Sequence, residues 1–307
     1  MTLAALPWLW MPITILAASF QTLRNAAQRH LIRDLGTAGA TLVRFLYGLP
    51  FAAVWLYVVR EATQVSLPQP NAPFVGWVLA GALGQIAATA LLLRTMQERN
   101  FAAGVAYSKT EIIQVAVFSI VLLGDPLSLG AGIAIVLASL GVVLISPQSG
   151  DVGLGGITRA WTSRAALFGL GSGAAFAVSA VGYRGAALAI GSSSVFLAAA
   201  YSLVWAQTLQ SVMLGGWMAV TQPRALTAVA KGWRISVAAG FAGAAASAGW
   251  FTAMAMHPVA PVRTLGLVEV LFSYFVSRRV FREQLSAVEI AGLALLVLGV
   301  AVMTLAP

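Results

Sequence analysis

FAAGVAYSKTEIIQVAVFSIVLLGDPLS, residues 101–128, and VAPVRTLGLVEVLFSYFVSRRVFREQLS, residues 259–286, decide how this chain is read. Each is an apolar helical run with one carboxylate inside it, Glu111 in the first and Glu269 in the second. A shift of 158 positions lays one on the other without a gap. Met96 falls on Met254, Glu111 on Glu269, Ser119 on Ser277, Leu127-Ser128 on Leu285-Ser286, Leu137 on Leu295 and Leu140-Gly141 on Leu298-Gly299. An ionisable group among bilayer-length apolar residues is costly and marks a functional site by default. A duplicated bundle with one such acid per half is a common carrier plan.

Composition sets the solvent. Of 307 residues, 60% are hydrophobic and only 9% are charged, with mean hydropathy +0.89. Soluble domains carry about a quarter charged residues, so the expected class is an all-α integral membrane protein. The chain has no cysteine, which excludes disulfides and thiolate metal sites, and only two distant histidines, His30 and His257. No metal and no cofactor are therefore expected. The net charge of +9 fits basic loops of a membrane protein better than a nucleic-acid surface, because no basic patch with interleaved aromatics lies outside the apolar runs.

Ten runs approach the ~20 residues that span a hydrocarbon core: about 7–28, 37–58, 74–96, 101–123, 128–146, 164–186, 193–215, 234–255, 260–281 and 286–305. The first, which begins without a preceding Lys or Arg, is read as a helix and not as a signal peptide, since Arg24, Ala26 and Ala27 find counterparts in Arg184, Ala186 and Ala187. The Gly- and Ser-rich stretch 149–163 separates a first five-helix repeat, 1–148, from a second, 164–307. An odd number of crossings per repeat makes the two halves inverted. Lys and Arg crowd the odd-numbered loops, with Arg24, Arg29 and Arg33 assigned to the first of them, while the even-numbered loops hold only Arg60 and Arg184. The positive-inside rule then places both termini outside the cytoplasm. Small-residue stripes, Gly76, Ala80, Gly84, Ala88 and Ala239, Gly243, Ala246, Gly249, allow close helix contact.

On the fourth run Asn100, Gly104, Tyr107, Ser108, Glu111, Gln114 and Phe118 share a face. A polar stripe of this kind faces the bundle interior or a water-filled cavity. Lys109, two residues before Glu111, points elsewhere on a regular helix and is open to pairing across helices. Arg263 follows Pro258 and Pro261 and suits a carboxylate, which a guanidinium grips with two hydrogen bonds. Val262, Leu265, Glu269, Phe272, Ser273 and Val276 form the greasier matching stripe of the ninth run. Gln85 in the third run and Trp250 in the eighth add a polar and an aromatic wall, and Trp10, Tyr107, Trp250 and Phe272 are expected around one cavity. The candidate substrate-binding residues are Gln85, Tyr107, Ser108, Lys109, Glu111, Trp250, Arg263 and Glu269. Lys109, Arg263 and Arg44 against Glu111 and Glu269 sum to near neutrality, so mutual structural pairing stands beside substrate binding as an explanation. Asp125 and Glu283 precede helix starts and read as helix caps. No GxxxxGK[ST], HExxH or GxSxG occurs, so no enzyme is expected.

These residues resemble the drug/metabolite transporter superfamily, specifically its EamA-type ten-helix carriers. The resemblance lies in Glu111, Asp125-Pro126-Leu127-Ser128 and Gly141, and again in Glu269, Glu283-Gln284-Leu285-Ser286 and Gly299. In that family a Pro often follows the central Glu. Ile112 and Val270 stand there here, so no kink is expected. The resemblance implies a central cavity and export of small metabolites by alternating access, closest to YddG-type exporters of aromatic and neutral amino acids. It also implies a bacterial inner-membrane, multi-pass location and a monomer whose partners are a small-molecule substrate, the lipid bilayer and, as coupling ion, protons. Another cargo on the same fold (nucleobase, nucleotide sugar, drug), a membrane enzyme, a lipid-handling scaffold and a passive channel remain the alternatives.

Overall fold

The computed structural model describes residues 7–98, 101–145, 162–282 and 287–305. They form helices α1 (Trp10–Leu46), α2 (Leu49–Thr63), α3 (Ala72–Glu98), α4 (Phe101–Ser108), α5 (Glu111–Leu123), α6 (Leu129–Ile145), α7 (Arg164–Ala189), α8 (Val195–Thr221), α9 (Pro223–Lys231), α10 (Trp233–Met256), α11 (Val259–Leu265), α12 (Val268–Arg279) and α13 (Ala287–Leu305). No strand occurs among the described residues. Among the described residues, six stretches are long and apolar enough to cross a bilayer: Trp10–Thr63, Ala72–Glu98, Arg164–Ala189, Val195–Thr221, Trp233–Met256 and Val259–Arg279. Glu111–Leu123, Leu129–Gly141 and Ile290–Val302 are shorter apolar helices. The interdomain stretch expected at 149–163 lies almost wholly outside the described residues, as do Asn100 and Glu283.

The 54-residue stretch Trp10–Thr63 is not one rod. Gly36 adopts φ 68° and ψ 176°, a conformation open essentially to glycine alone. Across it Gln28 Nε2 donates to the Ala40 carbonyl at 2.7 Å, although twelve residues of continuous helix would separate them by about 18 Å. The chain therefore doubles back at Gly36. The runs read at 7–28 and 37–58 leave a loop over about 29–36 between them, and a single glycine at its end does its work.

Large apolar side chains such as Leu16, Val54, Val121, Leu129 and Val212 face outward, while Arg24, Arg44, Gln28, Gln210 and Thr95 are enclosed. This polarity is the one a bilayer demands, since lipid offers no partner for a buried polar group. The tightest packing joins α3 to α7, α1 to α10 and α6 to α13. Small residues make it possible. A Cβ on Gly84 would lie 2.9 Å from the Ala175 carbonyl of α7, and one on Gly249 would lie 2.7 Å from Ala17 Cβ of α1. The polar break TQPRALTAVAKGWR contains a helix, α9, that buries Val229 and exposes Arg224 and Lys231, as a helix lying at a membrane surface would.

Two apolar runs are broken in the middle at matching places. α4 stops at Ser108 and α5 starts at Glu111, and α11 stops at Leu265 and α12 starts at Val268. In the first gap Ile112 N donates to the Lys109 carbonyl at 3.3 Å, and in the second Leu267 N donates to Thr264, Glu269 N to Gly266 and Val270 N to Leu267 at 2.9–3.1 Å. These i→i+3 bonds overwind the helix without proline. The helical hydrogen bonding is thus interrupted just ahead of Ile112 and Val270 although neither is proline. Each acid lies in the first turn of the second half of a discontinuous helix.

Candidate functional site

The overwound turns aim both acids at the same place. Glu111 and Glu269 are each 1% exposed. Lys109 Nζ lies 2.5 Å from Glu269 Oε2 and 3.9 Å from Glu111 Oε1, and Arg263 Nη2 lies 2.7 Å from Glu111 Oε1. The cation from each broken helix therefore binds the acid of the other. Lys109 also comes within ion-pair range of Glu111, which a regular helix would forbid, because it sits in the turn itself.

The α1 helix completes the shell of Glu269. Gln21 Nε2 donates to Oε2 at 2.6 Å and Asn25 Nδ2 to Oε1 at 2.9 Å. Gln21 Oε1 accepts from Trp250 Nε1 at 2.8 Å, and Arg263 stacks 4.6 Å from the Trp250 ring. Asn25 Oδ1 in turn accepts from Arg24, through Nε at 3.2 Å and Nη2 at 2.6 Å. Arg24 is wholly buried in α1 and does not lie in the loop to which its charge assigned it.

A second polar belt closes the other wall. Tyr183 OH donates to Gln85 Oε1 at 3.0 Å, and Gln210 Nε2 donates to both Gln85 Oε1 and the Tyr183 oxygen at 2.8 Å. One turn from Gln85, Thr89 Oγ1 accepts from Arg44 Nη1 at 2.9 Å. Between belt and cluster lies a void of about 10 Å³, bounded by Gln21, Gln85, Phe176, Tyr183, Trp250 and Arg263 among others. It has room for about one water, so the centre is shut as it stands.

Of the sequence candidates, Gln85, Trp250 and Arg263 line this void, and Lys109, Glu111 and Glu269 form the adjoining ion cluster. Ser108 is turned back on its own helix, donating to the Val105 carbonyl at 2.7 Å. Tyr107 packs on Gly169 of α7 and does not line the void, and Trp10 stacks on His257, ring centroids 4.4 Å apart. Of the four aromatics expected around the cavity, Trp250 alone lines it. Gln21, Asn25, Tyr183 and Gln210 complete the site. Gln21 and Arg24 were detectable as one helix face, and Arg24 also through its repeat partner Arg184. Gln210 carries no signal in the sequence.

Outside the centre, Asp125 does not cap a helix. Ser128 Oγ accepts from Ala131 N at 3.2 Å and caps α6. Asp125 instead takes a two-pronged grip from Arg184, at 2.8–3.1 Å, and a hydrogen bond from Ser119 at 2.6 Å. Burial opposes its ionisation, but the Arg184 and Ser119 hydrogen bonds and the Arg184 charge outweigh burial and hold its carboxyl below the usual range. Arg184 belongs to α7, not to a loop, and its Nη1 also donates to the carbonyls of Met254 and His257 at 2.6 and 2.9 Å. One guanidinium thus clamps α7, the turn before α6 and the α10–α11 junction. Over this clamp opens a vestibule of about 510 Å³ lined by Trp8, Trp10, Pro126, His257 and Pro261.

Residues 8–146 match the EamA-like transporter family, which belongs to the drug/metabolite transporter superfamily. A solved structure described only as the crystal structure of a protein is 17% identical, with a TM-score of 0.67 over 97% of this chain and 96% of its own. At that identity the likeness speaks of fold alone, and it extends through the second half of the chain. No curated protein matches. The family match and the apolar helices make this a multi-pass membrane protein.

Proposed function

We propose that the chain is a secondary carrier of small metabolites, built as two inverted five-span repeats, 1–148 and 164–307, that rock about the Glu111–Arg263 and Lys109–Glu269 pairs. One observation carries the reading: two broken helices 158 positions apart in sequence bring their acids together in the centre, each neutralised by the cation of the other half. Crossed pairs of this kind stay satisfied only while the halves keep one relation, so a ligand that competes for them alters that relation. The packing supports the inversion. Exchange of the repeats turns the α3–α7 contact into the α10–α1 contact and maps α6–α13 on itself.

The Arg184–Asp125 clamp beneath the vestibule serves as the gate on the side of the even-numbered loops, outside the cytoplasm by the distribution of positive charge. Amphipathic cargo suits a void with Trp250, Phe176 and Tyr183 on one side and Gln21, Gln85 and Arg263 on the other. Aromatic and neutral amino acids are the first cargo to try. Glu111, held by fewer groups than Glu269, is the proton carrier if transport is coupled to the proton gradient.

Counterflow of radiolabelled small metabolites, neutral amino acids and aromatic carboxylates in separate arms, into proteoliposomes tests this reading, with Arg263→Ala beside the parent. Saturable exchange in the parent and its loss in Arg263→Ala are expected. Non-saturable flux that ignores substrate loaded on the opposite side would replace the carrier by a channel.

A further inference from the structure

The central charges do not cancel. Among the described residues four buried cations, Arg24, Arg44, Lys109 and Arg263, face two acids, Glu111 and Glu269, while the remaining buried pair, Arg184 with Asp125, is neutral in sum. Guanidinium groups stay protonated in proteins, and a buried charge without a counter-charge is costly. Lys109 and Arg263 have carboxylate partners at 2.5 and 2.7 Å. Arg24 and Arg44 have none within ion-pair distance among the described residues. Arg24 is held by the neutral Asn25 and Arg44 by the neutral Thr89. Arg24 Nη1 and Arg44 Nε, in side chains 0% and 1% exposed, make no hydrogen bond among the described residues.

The two stems converge. They pass over Gly243 of α10, where a Cβ would lie 3.2 Å from Arg44 Cγ and 3.3 Å from Arg24 Cδ. Gly243, Ser247 and Trp250 follow one another at i, i+4 and i+7 on a single face, and Ser247 and Trp250 border the central void. The arginine pair thus lies about 10 Å along α10 from the indole, on the same helix face as the void whose other walls include Phe176, Phe251 and Met254.

We propose that Arg24 and Arg44 together form the binding site for the carboxylate of a net-anionic substrate, whose apolar body lies along Gly243–Ser247–Trp250 toward Arg263. The inference rests on the carrier reading and puts net-anionic carboxylates ahead of zwitterionic amino acids as its cargo. A zwitterionic amino acid brings no net charge and leaves the excess of two cations in place, whereas a carboxylate without an ammonium group reduces it. Such an anion accepts from Arg24 Nη1 and Arg44 Nε, the groups that now lack acceptors. Because the void holds about one water, binding separates the α1 hairpin from α10 along their small-residue seam.

Thermal melting of the purified protein in detergent, titrated with phenylacetate, phenylacetamide and phenylalanine, tests the site. Phenylacetate alone should raise the melting temperature. Arg24→Gln and Arg44→Gln should each weaken its binding by at least about thirtyfold, as when one partner of a buried charged contact is removed. The ligand-free Arg44→Gln protein should melt no lower than the parent, since a like-charge repulsion is relieved. Arg24→Lys and Arg44→Lys keep the charge and should bind within about tenfold of the parent, and they stand in should a glutamine variant fail to fold. The proposal is overturned by equal shifts from the amide or the zwitterion, by the absence of any shift with phenylacetate, or by phenylacetate binding that survives the glutamine variants. A shift produced wholly by chloride in a chloride-free sulfonate buffer, with no further gain from phenylacetate, also overturns it and makes the pair a structural halide site. Saturable counterflow of a neutral compound with no anion binding would sink this inference and leave the carrier standing. Anion binding without counterflow of any compound would do the reverse.

Discussion

Glu111 and Glu269 occupy the same position in the two repeated stretches, yet their surroundings differ. Glu269 is saturated: Lys109, Gln21 and Asn25 engage both of its oxygens, and Arg24 adds charge through Asn25. Glu111 has one short contact, to Arg263, and its Oε2 makes no hydrogen bond among the described residues. The cause is asymmetry in the neighbours. The α1 helix offers Gln21 and Asn25 to Glu269, whereas α7 meets Glu111 with Gly173, whose missing side chain lets the Ser108–Glu111 turn approach. One acid therefore organises the bundle, and the other is free enough to change partner.

The largest effect that could break this comparison is expected from Glu269→Gln. It leaves Lys109 buried opposite a neutral group and should cost about 3–5 kcal/mol, the loss typical of removing one member of a buried pair. Thermal melts in detergent would read it, and a melt unchanged from the parent contradicts the organising role. Glu111→Gln should lose less, about 1.5–3 kcal/mol, the worth of one charged hydrogen bond, because Arg263 keeps its stacking on Trp250. In proteoliposomes this variant should exchange substrate but no longer respond to a pH gradient. A retained response would move the proton elsewhere.

The broken turns sharpen the contrast further. Gly266 and Ser108 correspond at the 158 shift. A Cβ on Gly266 would fall into the Trp250 indole, 2.9 Å from Cζ3 and closer still to Cη2. Gly266→Ser, which copies the first half into the second, should destabilise by about 1–3 kcal/mol through overpacking. Ser108→Gly, the reverse copy, should cost no more than about 1 kcal/mol. Equal melting temperatures for the two would show that the turns are interchangeable.

The smallest effect concerns the vestibule. Burial, and then the Arg184 charge, hold His257 below its ordinary value of 6.5. The unfolded chain takes up the proton first as pH falls. The stability that His257 contributes is thus complete above pH 6.5 and is lost below it, as pH falls through the folded value. Melting temperature should slope downward below pH 6.5 in the parent, and His257→Gln should flatten that slope.

Much of this architecture can be read without coordinates. The acids, their spacing and the apolar runs around them follow from pattern, because bilayer burial writes itself into composition. The breaks before Glu111 and Glu269 do not, since overwinding needs no proline and leaves no residue signature. Arg24 misled because a charge near a helix end normally belongs to a loop, and its burial depends on Asn25 and on Glu269, 245 positions away. Tyr107 shares a helical face with Glu111 but finds Gly169 opposite, a partner that no local period announces. The nine residues of α9 are too few for periodicity to stand out from a polar loop.

Alternating access is the central claim, and the cysteine-free sequence permits a direct test. Trp10 and His257 stack across the vestibule, above the Arg184–Asp125 clamp. Trp10→Cys and His257→Cys, introduced together and bridged with a short bis-methanethiosulfonate reagent, tether α1 to the α10–α11 junction. Counterflow in proteoliposomes should stop on bridging and return on reduction, while either single variant treated alike keeps its exchange. Exchange that continues at the parent rate through a fully bridged protein would contradict alternating access at this gate.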